Sequence, residues 1–192
     1  MLMLVLGLIL FLGVHSVRIV ADDWRTRQIE RMGLNRWKGI YSVCAIVGLV
    51  LIIWGFILAR HHPVVLYVPP LWLRHLNGLL VLIAFIFLAA ARVPRNHLKA
   101  KFGHPQTLAV KIWSFGHLLA TGMLHDVVLF GPFLAWSIVL YMVSRARDRR
   151  TGAVYPAGTI KGDVLIAVIG VVLWSLFAFW LHTALIGVNP LS

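Results

Sequence analysis

Apolar residues in this chain gather into runs of similar length, separated by short basic connections. The runs are Leu2 to Val20, about Trp37 to Ala59, Leu71 to Ala91, a less apolar stretch between Gly103 and Phe133, about Val127 to Ser144, and about Val164 to Ile186. A hydrocarbon core of about 30 Å takes roughly 20 helical residues. No water serves backbone N–H and C=O groups at that depth, so each run must satisfy its own by forming a helix. The pattern predicts an all-α integral membrane protein, a bundle of six transmembrane helices. Hydrophobic residues at 60% and charged residues at 12% agree with this. The longest polar connection, about 20 residues, is too short for a separate soluble domain, so residues 1–192 are expected to form one transmembrane domain. No basic residue precedes the first apolar run, which therefore reads as a retained helix and not as a cleaved leader.

The basic residues orient the bundle. Of the 18 Lys and Arg, only Arg60 and Arg74 lie at the side reached after the second and fourth runs, Arg74 in the first turn of the third run. The other 16 lie on or flank the connections after the first run (Arg18, Arg25, Arg27, Arg31, Arg36, Lys38), the third (Arg92, Arg95, Lys99, Lys101, Lys111) and the fifth (Arg145, Arg147, Arg149, Arg150, Lys161). Cytoplasmic connections carry such an excess, so both termini are expected to be periplasmic, in the inner (cytoplasmic) membrane of a bacterium. The net charge of +12 is then accounted for by topology and anionic lipid, and nucleic acid is not an expected partner. The single Cys44 excludes an intramolecular disulfide and a Cys-based zinc or iron–sulfur site.

Ionisable residues inside the apolar runs narrow the function. A charged side chain at a helix centre costs about 2.5–3.5 kcal/mol on insertion scales, so the stretch holding Lys111 and His117 needs a compensating purpose, and a buried cofactor is the one favoured here. Small neighbours Ser114, Gly116 and Gly122 permit close approach of a flat group. His15, three residues before Arg18, is the second candidate ligand. At 1.5 Å of rise per residue it lies about 4–5 Å from the inner surface. His117 lies about 9 Å from that surface if its helix enters near Lys111, which matches His15, but about 18 Å if the helix starts at Pro105. Both starts remain open on spacing alone. His104 and His117 are too far apart along and around one helix to share an atom, and His104 before Pro105 reads as a helix-entry residue. His182 reads as a side chain near the outer surface, His61 and His62 as loop residues, and Asp126 as a cap for the fifth helix. Asp23 and Arg27 are spaced to pair on a short surface helix.

Several ordered motifs carry a resemblance. GVHSVRI, RWKGIYS, IIWGF, PPLWLRHL, PRNHLKAKFGHP, KIWSFGHLLATG and LFGPFLAWS follow one another along almost the whole chain. In this order and spacing the sequence resembles the NnrU family of bacterial membrane proteins and, more distantly, the 15-cis-zeta-carotene isomerases. The resemblance implies haem b held between two helices by His15 and His117 as axial ligands, with Ser16, Ser114 and Thr121 as candidates for hydrogen bonds around them. It further implies a role in nitrogen-oxide metabolism (nitric oxide, denitrification), with a membrane redox partner. The alternative is a membrane enzyme on a lipid-soluble substrate, such as a haem-dependent cis–trans isomerase. Ser114 stands where the isomerases resemble W-C-x-x-H with a cysteine, which removes a thiolate ligand. A methyltransferase is a weaker form of that alternative, since GHPQTLA lacks the Arg, Tyr and Gly of the RHPxYxG pattern it would resemble. A membrane protein without cofactor is the third reading.

Overall fold

A computed structural model describes residues 1–190. Its helices are α1 (Leu2–Val20), α2 (Asp22–Met32), α3 (Leu34–Arg60), α4 (Leu71–Arg92), α5 (His97–Phe102), α6 (Pro105–Ala120), α7 (Leu124–Thr151), α8 (Ile160–Leu176) and α9 (His182–Ile186). A π-helical segment, Phe177–Leu181, joins α8 to α9. Among the described residues the only β-type pairing is an isolated antiparallel bridge between Val65 and Met123.

Among the described residues five helical stretches are long and apolar enough to cross a membrane: α1, α3, α4, α7 and the continuous run Ile160–Ile186. The expected fourth crossing is α6, and it differs from the other five. It has 16 residues, about 24 Å of rise, which is less than a full hydrocarbon core. Its start is fixed by His104 at the N-cap and Pro105 in the first turn, where the missing proline N–H costs nothing. Of the two starts compatible with the sequence, the helix takes Pro105, and Lys111 is exposed on its flank. The helix α7 begins at Leu124, so Asp126 lies in its first turn and not at the N-cap position itself. At its other end α7 continues past Ser144 through the basic cluster, whose arginines favour helix.

The chain divides into two compact units. The first comprises Met1–Leu66 and Met123–Trp136. Here α1 packs on α3 through glycines: a Cβ on Gly55 would stand 2.2 Å from Leu4 N, and one on Gly7 2.6 Å from Ile52 N. The two backbones thus approach as closely as small residues allow, burying Leu4, Leu8 and Ile52. The short α2 carries the ion pair Asp22–Arg25 at 3.8 Å, in place of the expected Asp23–Arg27. Its Trp24 packs edge-on against Trp37 at 5.7 Å. Leu124 N donates to Val64 O at 2.8 Å, pairing the backbone just before α7.

The second unit comprises Tyr67–Gly122 and Ser137–Ser192, built around α4, against which α6 and α8 pack. Ala89, Ala90, Val93 and Ile166 form its core cluster. Asn96 is fully buried and organises the turn after α4. Its amide donates to Ala90 O and Val93 O, and its Oδ1 caps α5 by accepting from Lys99 N at 2.7 Å. The non-helical turn after α6 is satisfied by Tyr67 N, which donates to Gly122 O at 3.2 Å, and by the Tyr67 hydroxyl on Leu118 O. Irregular backbone next to apolar helices is tolerated where it finds such partners.

Candidate functional site

His15 and His117 fall in different units, and each is set in the same local way. His15 Nδ1 is 2.6 Å from Phe11 O, one turn back on α1. His117 Nδ1 is 2.8 Å from Trp113 O, one turn back on α6. A carbonyl only accepts, so Nδ1 carries the proton in both rings, and in the neutral imidazole Nε2 keeps its lone pair. Metal-ligating histidines are oriented this way, with the second N–H held by a carbonyl or carboxylate.

Packing fixes both rings. The Phe11 ring lies 4.3 Å from His15, Tyr41 of α3 meets it edge-on at 5.3 Å, and Trp136 stands perpendicular at 6.1 Å. Phe11 is itself held by the close approach of Gly48, whose Cβ would fall 2.8 Å from Phe11 N. In the second unit Trp113 lies 5.3 Å from His117. Next to it, Gly116 leaves room for Asn77, whose Oδ1 would be 2.4 Å from an added Cβ. Among the described residues two buried side-chain polar atoms have no hydrogen-bond partner, Trp136 Nε1 in the first unit and Asn77 Oδ1 in the second.

The serine and threonine hydroxyls spend their protons on their own helices. Ser16 donates to Leu12 O at 2.6 Å, the fully buried Ser114 to Val110 O at 2.7 Å, and Thr121 to His117 O at 2.7 Å. The bond that orients each imidazole therefore comes from a backbone carbonyl. Ser16 also lines an apolar groove of about 480 Å³ in the first unit, with Leu8, Leu12, Val128 and Pro132.

The ring of His182 faces the same cavity as that of His117, which Asn77, Trp113, Trp174 and Phe177 also line. The π-helical turn over Phe177–Leu181 carries part of this wall. Such wide turns often mark functional sites, and they re-aim the residues that follow. The His182 ring is held by Nδ1–H donating to Val188 O at 2.7 Å. The cavity measures about 100 Å³, room for about three waters at roughly 30 Å³ each. Pockets for drug-sized ligands start at about 300 Å³, so a macrocycle does not fit between these two histidines as they stand.

Three polar clusters were not legible in the spacing. In the first unit the buried His125 and Asp126 are 3.6 Å apart, with Phe56 edge-on to the imidazole at 5.1 Å. In the second, His97 donates through its backbone N–H and Nδ1 to both oxygens of Asp163, at 2.9 and 2.6 Å. The third joins the start of α6 to the end of α7 and the loop beyond. Asp148 Oδ2 accepts from His104 Nε2 at 2.9 Å, Tyr155 OH at 2.9 Å and Arg145 Nη1 at 3.1 Å. Partial burial first, and the bond to Asp148 second, push the Tyr155 phenol up to about 12 from its ordinary 10.0. A raised value means that Tyr155 contributes stability in full below the ordinary phenol range and loses it as pH rises through about 12. The thermal midpoint of Tyr155→Phe should accordingly fall below that of the native chain at about pH 9, with the gap narrowing toward pH 12. Asp148→Asn should open the loop between α7 and α8 at neutral pH, seen as faster tryptic cleavage after Arg149 and Arg150. Cleavage at the native rate would mean the cluster does not hold the loop.

Helices of this length and apolarity define a multi-pass helical membrane protein, one that keeps imidazoles in its apolar helices, oriented by the backbone. A family model described as NnrU protein matches residues 3–190, nearly the whole chain. The chain belongs to the NnrU family. No curated protein and no solved structure matches it.

Proposed function

We propose that this chain binds haem b in the bacterial inner membrane through His15 and His117, and that it serves nitrogen-oxide metabolism. The observation that carries the reading is the shared tautomer: both rings donate Nδ1–H to the carbonyl four residues back, leaving Nε2 as the ligating nitrogen. The donor chemistry fits haem, for which two neutral imidazoles are an ordinary axial pair. Equal depth does not support the pairing, because α6 starts at Pro105 and His117 lies about 18 Å along it. Bound haem would supply one-electron redox chemistry. The residues of the chain orient the ligands, through Phe11 O and Trp113 O, and keep the surroundings apolar. The link to nitrogen oxides rests on the family resemblance.

The purified protein should therefore carry about one haem b, extractable because no C-x-x-C-H is present for covalent attachment. A pyridine haemochrome assay measures it. Folded protein that neither retains nor takes up haem would falsify the reading.

The apolar groove of about 480 Å³ that reaches Ser16, next to His15, favours a second reading, an enzyme acting on a lipid-soluble substrate. Conversion of a cis-polyene by the haem-loaded protein would support it.

Six crossings with both termini periplasmic complete the proposal, α6 and its paired turn serving as the short fourth crossing. Reporter fusions after Arg60, Met123 and Ser192 should then report periplasm, and fusions after Arg31, Lys101 and Arg149 cytoplasm. A cytoplasmic C-terminus would show that α6 does not cross.

A further inference from the structure

We propose that the basic end of α7 is a binding site for an anionic phospholipid, with the headgroup phosphate on Arg145 and Arg149 and an acyl chain along the apolar residues that precede them. Ile138, Met142, Arg145 and Arg149 are spaced by four, three and four residues, so they form one stripe along the helix. Ile138 and Met142 are exposed, Met142 at 64%, as is the neighbouring Val139. The stripe thus changes from apolar to cationic where α7 leaves its apolar segment, as an amphiphilic anion requires. A groove of about 530 Å³, lined by Tyr141, Met142, Val143, Arg145, Ala146 and Arg149, lies at the changeover.

The site is partly preorganised. Tyr141 OH donates to Phe102 O at 3.2 Å, which fixes the upper wall of the groove. Arg145 is held by Asp148 at 3.1 Å, so less of its rotamer freedom is lost on binding. Asp148 offsets part of the charge of Arg145, so the exposed Arg149 carries the larger share of the attraction. A guanidinium has five N–H donors, and the bond to Asp148 leaves others for a phosphate. Arg149 is exposed at the mouth of the groove.

The test uses the full-length protein in nanodiscs or detergent, with native mass spectrometry counting bound phosphatidylglycerol against phosphatidylcholine of the same acyl length. Phosphatidylglycerol should be retained preferentially. Arg149→Gln should weaken its retention about fivefold, the usual worth of one basic side chain near an anionic surface. Arg145→Gln together with Arg149→Gln should weaken it more than tenfold, and Met142→Glu should do so without removing a cation. Arg150→Gln, off the stripe, should change retention less than twofold. Equal losses in Arg150→Gln and Arg149→Gln would reduce the effect to a diffuse surface field and overturn the site. Displacement of the lipid by inorganic phosphate at equal concentration would make it a free-anion site, and equal retention of both lipids would remove it altogether.

Discussion

Replacing His15 or His117 by alanine is expected to abolish haem binding or weaken it more than about 100-fold, since removing even an outer-shell partner of a metal ligand costs 10–100-fold. Each single variant should shift the Soret band toward a five-coordinate or water-ligated iron, and the double variant should purify as apoprotein. His61→Ala, His97→Ala and His182→Ala should leave the spectrum unchanged. His97 is committed to Asp163, and His61 is an exposed residue just past α3. His182 is the informative control because it lines a cavity with His117, but that cavity is about 100 Å³ and takes a few waters at most. Loss of haem in His182→Ala with an unchanged spectrum in His15→Ala would place the iron between His117 and His182. The second unit would then have to open to admit it.

Gly55→Ala is expected to be the most damaging substitution of a single methyl in the first unit. Its Cβ would lie 2.2 Å from Leu4 N and 2.7 Å from Leu4 Cα, both backbone atoms that no rotamer change can clear. The two helices would have to separate along a seam that also depends on Gly7 and Gly48. Overpacking against side chains costs about 1–3 kcal/mol, and against backbone the loss should reach or exceed the upper end of that range. Gly13→Ala, on the same helix pair but with nothing within 4 Å of the added Cβ, should be neutral or stabilise by up to about 1 kcal/mol. Thermal unfolding in one detergent, monitored by circular dichroism, compares the two. If both variants melt alike, the α1–α3 seam is looser than its geometry implies. Because α3 holds Phe11 and Tyr41 against His15, Gly55→Ala should also lower haem occupancy.

The membrane class, the all-helical fold and the rough positions of five long apolar helices were legible in the chain, because apolar run length acts locally and needs no tertiary contact, and the family was legible in the order of its motifs. His104 as a helix-entry residue was legible for the same reason: Pro105 fixes the conformation at its own position. The exact span of α6 was not, since its end at Ala120 depends on Tyr67 and on backbone pairing with a segment more than fifty residues earlier in the chain. Nor was the place of His182, because a π-helical turn over Phe177–Leu181 changes the face of every later residue and no residue type signals it. The Asp148 cluster shows the same limit. His104, Asp148 and Tyr155 are separated by 44 and 7 residues, and only folding brings their side chains to one carboxylate oxygen. A hydrogen bond between distant segments depends on where both backbones end up, and helix periodicity carries no information about that.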